Sequence, residues 1–544
     1  MKYGSVYTPP ALASFAAKLL QHVAASDGNN TLQQVLDPAC GGLSLLSAAS
    51  DALSREMLTG IDVDHEAVLE SAAAISESGL HVKLIESDFI LPSKSSLTTA
   101  YWKNKLGTVD AILANPPWSS DRIYSREDLI QHGIKIVDGQ YDAYSLFIEV
   151  GIGLLSDGGY GAYILPDSLF SSTAIELRRF LLEETSIRII ARLGERLFPG
   201  VHRSTAIVVF QKAIPQHDSQ TECFRLNTED RKKYLYEGAD LFDLFLHNRH
   251  LLNQSHFLRN SGLEFDIDTD ERDEKALASI ERRKTKWTSN LKFFRGIELS
   301  KTGKVYLCPY CGSASSISSK ERQSTLKKCP HCSMEFYVEE GNIKQLISDE
   351  HHEGWKKLLV GESVVRYSIR SNKYVAPPIK GINFKTMSIY MGPKLLVRKT
   401  GLGIKSVVST ESELTTQTVY FFKSLNLEED GVDSLYFYAA LLNSRTIYYY
   451  YLKKYGENEW KSHPYLTKTI LENLPLISFD KDNPLHAEVA SYSLRLCKQY
   501  DKTLDLELEQ MIQNLYELSN VERDVVRNTM NELPDLSAIR EMKF

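Results

Sequence analysis

The stretch Ala111–Ser120, "AILANPPWSS", sets an apolar run directly against an asparagine, two prolines and a tryptophan. Proline fixes its own backbone and has no N–H to donate, so Asn115-Pro116-Pro117-Trp118 cannot continue a central strand and must leave it as a stiff, extended loop. On either side, "QQVLDPAC", "MLTGIDVD", "HVKLIESDF", "VDAILANPP" and "GGYGAYILPDS" read as short buried strands separated by helical stretches, and "TPPALASFAAKLLQHVA" has helical apolar spacing. "IRIIARLGE" and "STAIVVFQK" add two more strands. The pattern predicts an α/β domain over residues 1–215 with a mainly parallel, seven-stranded sheet. Residues 216–289, which include "DIDTDERDEKALASIERRKTK", read as a linker or exposed helical connection. Residues 290–480 are strand-rich and irregular, an α+β region, and 481–544 return to a helical pattern.

At 544 residues the chain is long enough for two or three domains. No apolar run is long enough to span a bilayer, and no secretory signal is visible at the N-terminus, so the expectation is a cytoplasmic protein with no membrane partner. Seven cysteines in this length make a disulfide scaffold a poor reading. The net charge of −7 hides an asymmetry: residues 281–480 carry about +10 and the remainder about −17. Two readings of the basic region stand, a phosphate-binding surface or a surface solubilised by lysine.

In an open parallel sheet, ligands sit beyond the carboxyl ends of the strands. Those ends form a set here. The first is followed by Asp37-Pro38-Ala39-Cys40-Gly41-Gly42, where small residues let a ligand approach the backbone. The second ends in Gly60-Ile61-Asp62, acidic where a ribose diol is usually gripped. The third leads to Asp88-Phe89, a carboxylate able to accept from an exocyclic amine beside an aromatic ring. The fourth leads to Asn115-Pro116-Pro117-Trp118.

This set, in this order, resembles the S-adenosylmethionine-dependent gamma-class adenine-N6 DNA methyltransferases with a TaqI-like target-recognition domain. The resemblance covers nearly the whole chain and implies a Rossmann-like class I methyltransferase domain followed by a DNA target-recognition domain. "VYTPPALASFAAKLL" is similar to the family's N-terminal cofactor motif, which implies that Tyr7 and Thr8 lie by the methionine carboxylate. By the same comparison Asp37, Ala39 and Gly41 lie along the methionine moiety, Asp62 on the ribose hydroxyls, and Asp88 with Phe89 on the cofactor adenine. Leu43 stands where the family usually shows a second glycine.

The prolines then have a chemical use. An adenine amino nitrogen is a poor nucleophile because its lone pair is delocalised into the ring. Two hydrogen bonds accepted by the Asn115 side-chain oxygen and the Pro116 carbonyl would hold that nitrogen pyramidal, with Pro117 keeping both oxygens aimed. Trp118 offers a face on which the base can stack, and a base inside a duplex would have to be flipped out to reach it. "RLFPGVHRSTAIVVF" resembles the family motif whose aromatic packs on the flipped base, which makes Phe198 the candidate; a core phenylalanine before a strand is the other reading.

Cys308, Cys311, Cys329 and Cys332 form two C-x-x-C pairs at zinc-ribbon spacing within residues 305–338. Four thiolates would satisfy a zinc ion and leave no open position, so the site is expected to be structural. Lys320, Arg322, Lys327 and Lys328 decorate the ribbon's tip. By resemblance, Arg366, Arg370, Lys394, Arg398 and Lys399 would face DNA. "LLNSRTIYYYYLKKYG" mixes tyrosines with basic residues, and a buried helix with a basic far face is favoured over a nucleic-acid surface.

The resemblance implies transfer of a methyl group to adenine N6 in double-stranded DNA, within a bacterial restriction-modification or phage-defence system. A separate restriction endonuclease or defence-system subunit is the expected partner. Two alternatives remain: a methyltransferase acting on RNA adenine or protein glutamine, and a catalytically inactive DNA-binding specificity subunit.

Overall fold

The computed structural model describes residues 7–532 apart from 30–31, 54–56, 79, 119–123, 138–141, 196, 199–202, 217, 260–261, 301, 318–325, 402, 427–428 and 457–464. The chain forms two compact units, Met1–Asp268 and Thr269–Phe544. Lys320 and Arg322 of the ribbon tip lie outside the described residues.

The first unit is built on nine strands: β1 (Gln34–Asp37), β2 (Met57–Asp62), β3 (Val82–Glu86), β4 (Val109–Ala114), β5 (Leu155–Pro166), β6 (Ser186–Gly194), β7 (Thr205–Gln211), β8 (Gln220–Arg225) and β9 (His250–Asn253). Their order across the sheet is β3-β2-β1-β4-β5-β7-β6-β8-β9. The first five are parallel to their neighbours, and β7 runs antiparallel between β5 and β6. The sheet therefore has nine strands rather than seven. β8 pairs with β6 and β9 with β8, so residues 216–268, read from sequence as a connection, complete its edge.

Strand alternation puts successive residues into opposite core layers. Val35, Ala111, Leu113, Ala162 and Ile164 pack with Leu12, Phe15 and Leu19 of helix Pro10–Ser26. Leu36, Ile112, Ala114, Tyr163 and Leu165 face the other way, onto Phe147, Val150 and Leu154 of helix Ala143–Leu154. Strands covered on both faces read as continuous apolar runs, which is why β4 was visible before its loop. The first helix starts at a proline in its first turn, where the missing N–H costs nothing. Strand order reverses between β1 and β4, which opens a crevice at their carboxyl ends.

The second unit holds a four-stranded antiparallel sheet in the order Leu291–Arg295, Val419–Ser424, Lys394–Arg398, Ser406–Ser409. Helices Glu429–Asn443, Arg445–Tyr455, Pro484–Lys498 and Lys502–Leu515 share one core with it. Tyr448 to Tyr451 are all buried in that core. Tyr449 and Lys453 bond to Asp273 at 2.7 and 2.9 Å, so this helix is a packing element. Asp273 belongs to helix Glu271–Arg282, which begins with an Asp270 capping box and buries Ala276, Leu277 and Ile280. That segment is part of the core and not an exposed linker.

Two basic residues expected on DNA are structural instead. The Arg366 side chain is largely buried, grips both oxygens of Asp505 at 2.5 and 2.8 Å, and donates to the Asn443 carbonyl at 3.0 Å. The Lys394 side chain has no exposed surface; it donates to the Tyr390 carbonyl at 3.0 Å, to the Glu411 carbonyl, and to Glu413 at 3.4 Å. Removing one partner of a buried ion pair costs far more than replacing both with apolar groups. Asp505→Ala should therefore lower stability by about 3–5 kcal/mol in urea unfolding of the full chain, whereas Arg366→Met with Asp505→Leu should recover most of that loss.

Candidate active site

A cavity of about 460 Å³ opens at the carboxyl ends of β1, β2, β3 and β4. Tyr7, Thr8, Asp37, Ala39, Gly41, Asp62, Asp88, Phe89, Asn115, Pro116, Pro117, Trp118 and Phe198 all line it. The size is within the range of ordinary small-molecule sites.

The acidic strand ends are tied down by backbone donors. Asp37 Oδ1 accepts from the Ala39 N–H at 3.0 Å. Asp62 accepts from Gly41 N–H at 2.8 Å through one oxygen and from Asp64 N–H at 2.9 Å through the other, and each oxygen retains a lone pair for a ligand. Asp88 Oδ1 takes the Ile90 and Leu91 N–H groups at 2.8 and 3.1 Å and the Tyr124 hydroxyl at 3.1 Å. Phe89 is buried in a wall of three rings with Trp102 and Phe147, at centroid distances of 5.7 and 5.4 Å. Tyr7 lies over the glycine loop, where a Cβ on Gly42 would meet its ring at 3.2 Å. Substitution there would crowd the Tyr7 ring.

Leu43 adopts φ 64°, the left-handed conformation that a glycine takes without strain, and leads into helix Ser44–Ala52. The backbone of the loop thus has its turn despite the missing glycine. The leucine side chain is buried among Leu12, Leu45 and Leu46. Core burial offsets the strain: a left-handed non-glycine residue costs about 1–2 kcal/mol, and deleting a buried leucine side chain costs about 2–5.

On the other wall, Asn115 Nδ2 donates to Thr8 Oγ1 at 3.0 Å, which orients the amide at the end of β4. Trp118 packs edge-on to Phe198, with centroids 5.2 Å apart and planes at 82°, and its indole N–H donates to the Ile164 carbonyl at 3.4 Å. Arg203 donates to the Trp118 carbonyl at 2.7 Å. Tyr124 and Arg203 line the same cavity and were missed from sequence. Arg203 lies five residues beyond Phe198 in "FPGVHR", so a search for polar residues around that aromatic would have found it.

Burial pushes the Asp37 carboxyl up to about 8, against the opposing pull of the Ala39 N–H and with help from the charge of Asp62. Its folded value lies above the unfolded one. The contribution is therefore fully present below about pH 4 and is lost as pH rises through about 8.

In the second unit, Lys399 sits over the Tyr420 ring at 5.7 Å and Lys468 over Phe293 at 4.8 Å. Partial burial and then the nearby Arg295 lower the Lys399 pKa, which marks Arg295 as a basic neighbour absent from the sequence-based set. Arg398 Nε donates to the Thr400 carbonyl, and Arg370 is exposed. The four paired cysteines converge, their Sγ atoms all within 4.8 Å of one another.

A sheet of order 3-2-1-4-5-7-6 with an antiparallel seventh strand, carrying acidic ends on β1, β2 and beyond β3, defines a class I methyltransferase fold. Residues 1–243 match the N-6 DNA methylase family, and residues 356–476 match the TaqI-like C-terminal specificity domain. The Type II methyltransferase M.AccI of Acinetobacter calcoaceticus is 26% identical over 216 residues, covering 38% of this chain and 36% of its own. The Type I restriction enzyme EcoEI methylase subunit of Escherichia coli is 24% identical over 223 residues, covering 39% and 43%. The chain thus spans less than half the length of these curated relatives. The solved structure of the Type IIL restriction-modification enzyme MmeI with DNA aligns with 97% of this chain and 76% of its own, at 9% identity and a TM-score of 0.48. Among the described residues no helix is long and apolar enough to cross a membrane.

Two outcomes follow from this geometry. Leu43→Gly should be more stable than Leu43→Ala by about 1 kcal/mol in chemical denaturation, because both lose the packing and only glycine loses the strain. Between about pH 5 and about pH 9, Asp37→Asn should lose less thermal stability than the wild type, because it removes the buried carboxyl that must ionise.

Proposed function

We propose that the chain binds S-adenosylmethionine and methylates the N6 amino group of an adenine flipped out of duplex DNA. The observation that carries this reading is the convergence of Asn115, Pro116 and Trp118 with Asp37, Asp62 and Asp88 on one cavity. Relatives named as Type I and Type II methylases, and the TaqI-like specificity domain in the same chain, favour DNA over RNA or a protein amide.

The residues fit the cofactor. Gly41 and Gly42 leave a cradle without side chains beneath Tyr7, Asp62 keeps acceptor capacity for a ribose diol, and Asp88, whose Oδ1 is held by three donors, would accept from an exocyclic amine through Oδ2. S-adenosylmethionine supplies an electrophilic methyl group on a sulfonium. Asn115 Oδ1 and the Pro116 carbonyl would accept from the target amine and hold its lone pair toward the bound methyl donor. The amine would gain the methyl group as the sulfonium gives it up and leaves as the neutral thioether, and one N6 proton would pass to solvent. Trp118, braced by Phe198 and by Arg203 on its carbonyl, provides the stacking face. Arg370, Lys399 and the neighbouring Arg295 are the phosphate contacts, and a restriction endonuclease or other defence subunit is the partner class.

Single-turnover methylation of duplex DNA tests the assignment. Asn115→Ala should slow the chemical step by about 100- to 1,000-fold, the usual effect of removing one aimed hydrogen-bonding group. Trp118→Ala should weaken binding of a target-containing duplex by about 1–3 kcal/mol in a direct binding assay. Wild-type rates from Asn115→Ala would remove the proposed role of this loop.

A further inference from the structure

Within the second unit, the four cysteines sit in two copies of the same turn. Cys308 lies between strand Lys304–Leu307 and strand Ala314–Ser316, and Cys329 between Leu326–Lys328 and Glu335–Tyr337. In the first turn Cys308 N–H donates to Ser313 O at 3.0 Å and Gly312 N–H to Cys308 O at 2.8 Å. In the second, Cys329 N–H donates to Met334 O at 2.9 Å and Ser333 N–H to Cys329 O at 2.9 Å. Gly312 and Ser333 take the same left-handed conformation, at φ 68° and 62°. Such a turn brings both cysteines of a C-x-x-C pair to one side, and the backbone N–H of His331 points at Cys329 Sγ from 3.4 Å.

The two turns face each other. Cys308 and Cys332 Sγ are 3.6 Å apart, and Cys311 and Cys329 Sγ are 3.7 Å apart. Four thiolates at about 2.3 Å from a tetrahedral ion are spaced by about 3.8 Å, whereas a disulfide needs about 2.0 Å. From these positions we infer that the second unit holds one structural zinc ion on Cys308, Cys311, Cys329 and Cys332, and that this ion fastens the second hairpin to the first. Binding displaces the thiol protons and leaves no coordination position for water or substrate.

The fastening role follows from how little else joins the hairpins. The first is anchored in the domain: Lys304–Tyr306 pairs with Ile343–Gln345, and Ala314 N–H donates to Lys380 O at 2.8 Å. Among the described residues the second pairs with no strand outside itself. Its strands are three residues each, below what stands alone in water. Phe336 packs on Tyr306, 5.5 Å between centroids, in a small cluster of five buried residues, two of them the cysteines themselves. This inference does not rest on the methyl-transfer reading.

Metal analysis of the purified full chain should find about one zinc per chain, and cobalt(II) put in its place should give the intense visible bands of a tetrahedral four-thiolate site. Cys311→Ser and Cys332→Ser should each lose most of the zinc, whereas His331→Ala should retain it. A chelator should speed amide exchange over residues 326–337 by roughly tenfold or more while leaving the Lys394–Arg398 and Val419–Ser424 strands unchanged. No metal and no cobalt spectrum, iron in place of zinc, or full zinc in Cys332→Ser would overturn the site. Unchanged exchange over 326–337 after metal removal would overturn the fastening role.

Discussion

Everything at the active site depends on the reversal of strand order between β1 and β4. Connections leave these neighbouring strands toward opposite faces of the sheet, so the two carboxyl ends are left uncovered side by side. Asp37 comes from one end and Asn115 from the other. Because both strands are buried on two faces by tightly packed aliphatic layers, their ends have little freedom to shift, and the polar residues that follow them inherit that rigidity. The prolines then carry the stiffness one step past the strand.

Buried charged groups are held in two ways. In the first unit, Asp37 is buried with no cationic partner among the described residues and is pushed toward its neutral form, a state costly for a purely structural residue and useful beside a ligand that brings charge. In the second unit, Arg366 pairs with Asp505 of helix Lys502–Leu515, and Lys394 of strand Lys394–Arg398 pairs with Glu413.

Much of this was legible in the sequence because it is local. β1 to β7 show as apolar runs, and each polar strand end follows within a few residues of its strand. The cysteine turns are legible for the same reason: two ligands three residues apart report their own geometry. What escaped was non-local or weakly patterned. "QTECFR" and "HLLN" carry too few apolar residues to announce the edge strands β8 and β9. Arg366 looks like a DNA-facing residue until Asp505, 139 positions away, is placed beside it. Tyr124 enters the cavity only through its bond to Asp88, 36 positions away. Leu43 departs from the glycine pattern, yet the backbone takes the glycine-like turn because the side chain is buried.

The proposed role of the cavity is to bring a methyl donor to an adenine amine. The most direct measurement is to incubate the full chain with unmethylated duplex DNA and methyl-labelled S-adenosylmethionine, digest the product to nucleosides, and locate the label. The account predicts label in N6-methyldeoxyadenosine. Label in a cytosine derivative, in RNA or in protein, or none on DNA despite measurable cofactor binding, would contradict it.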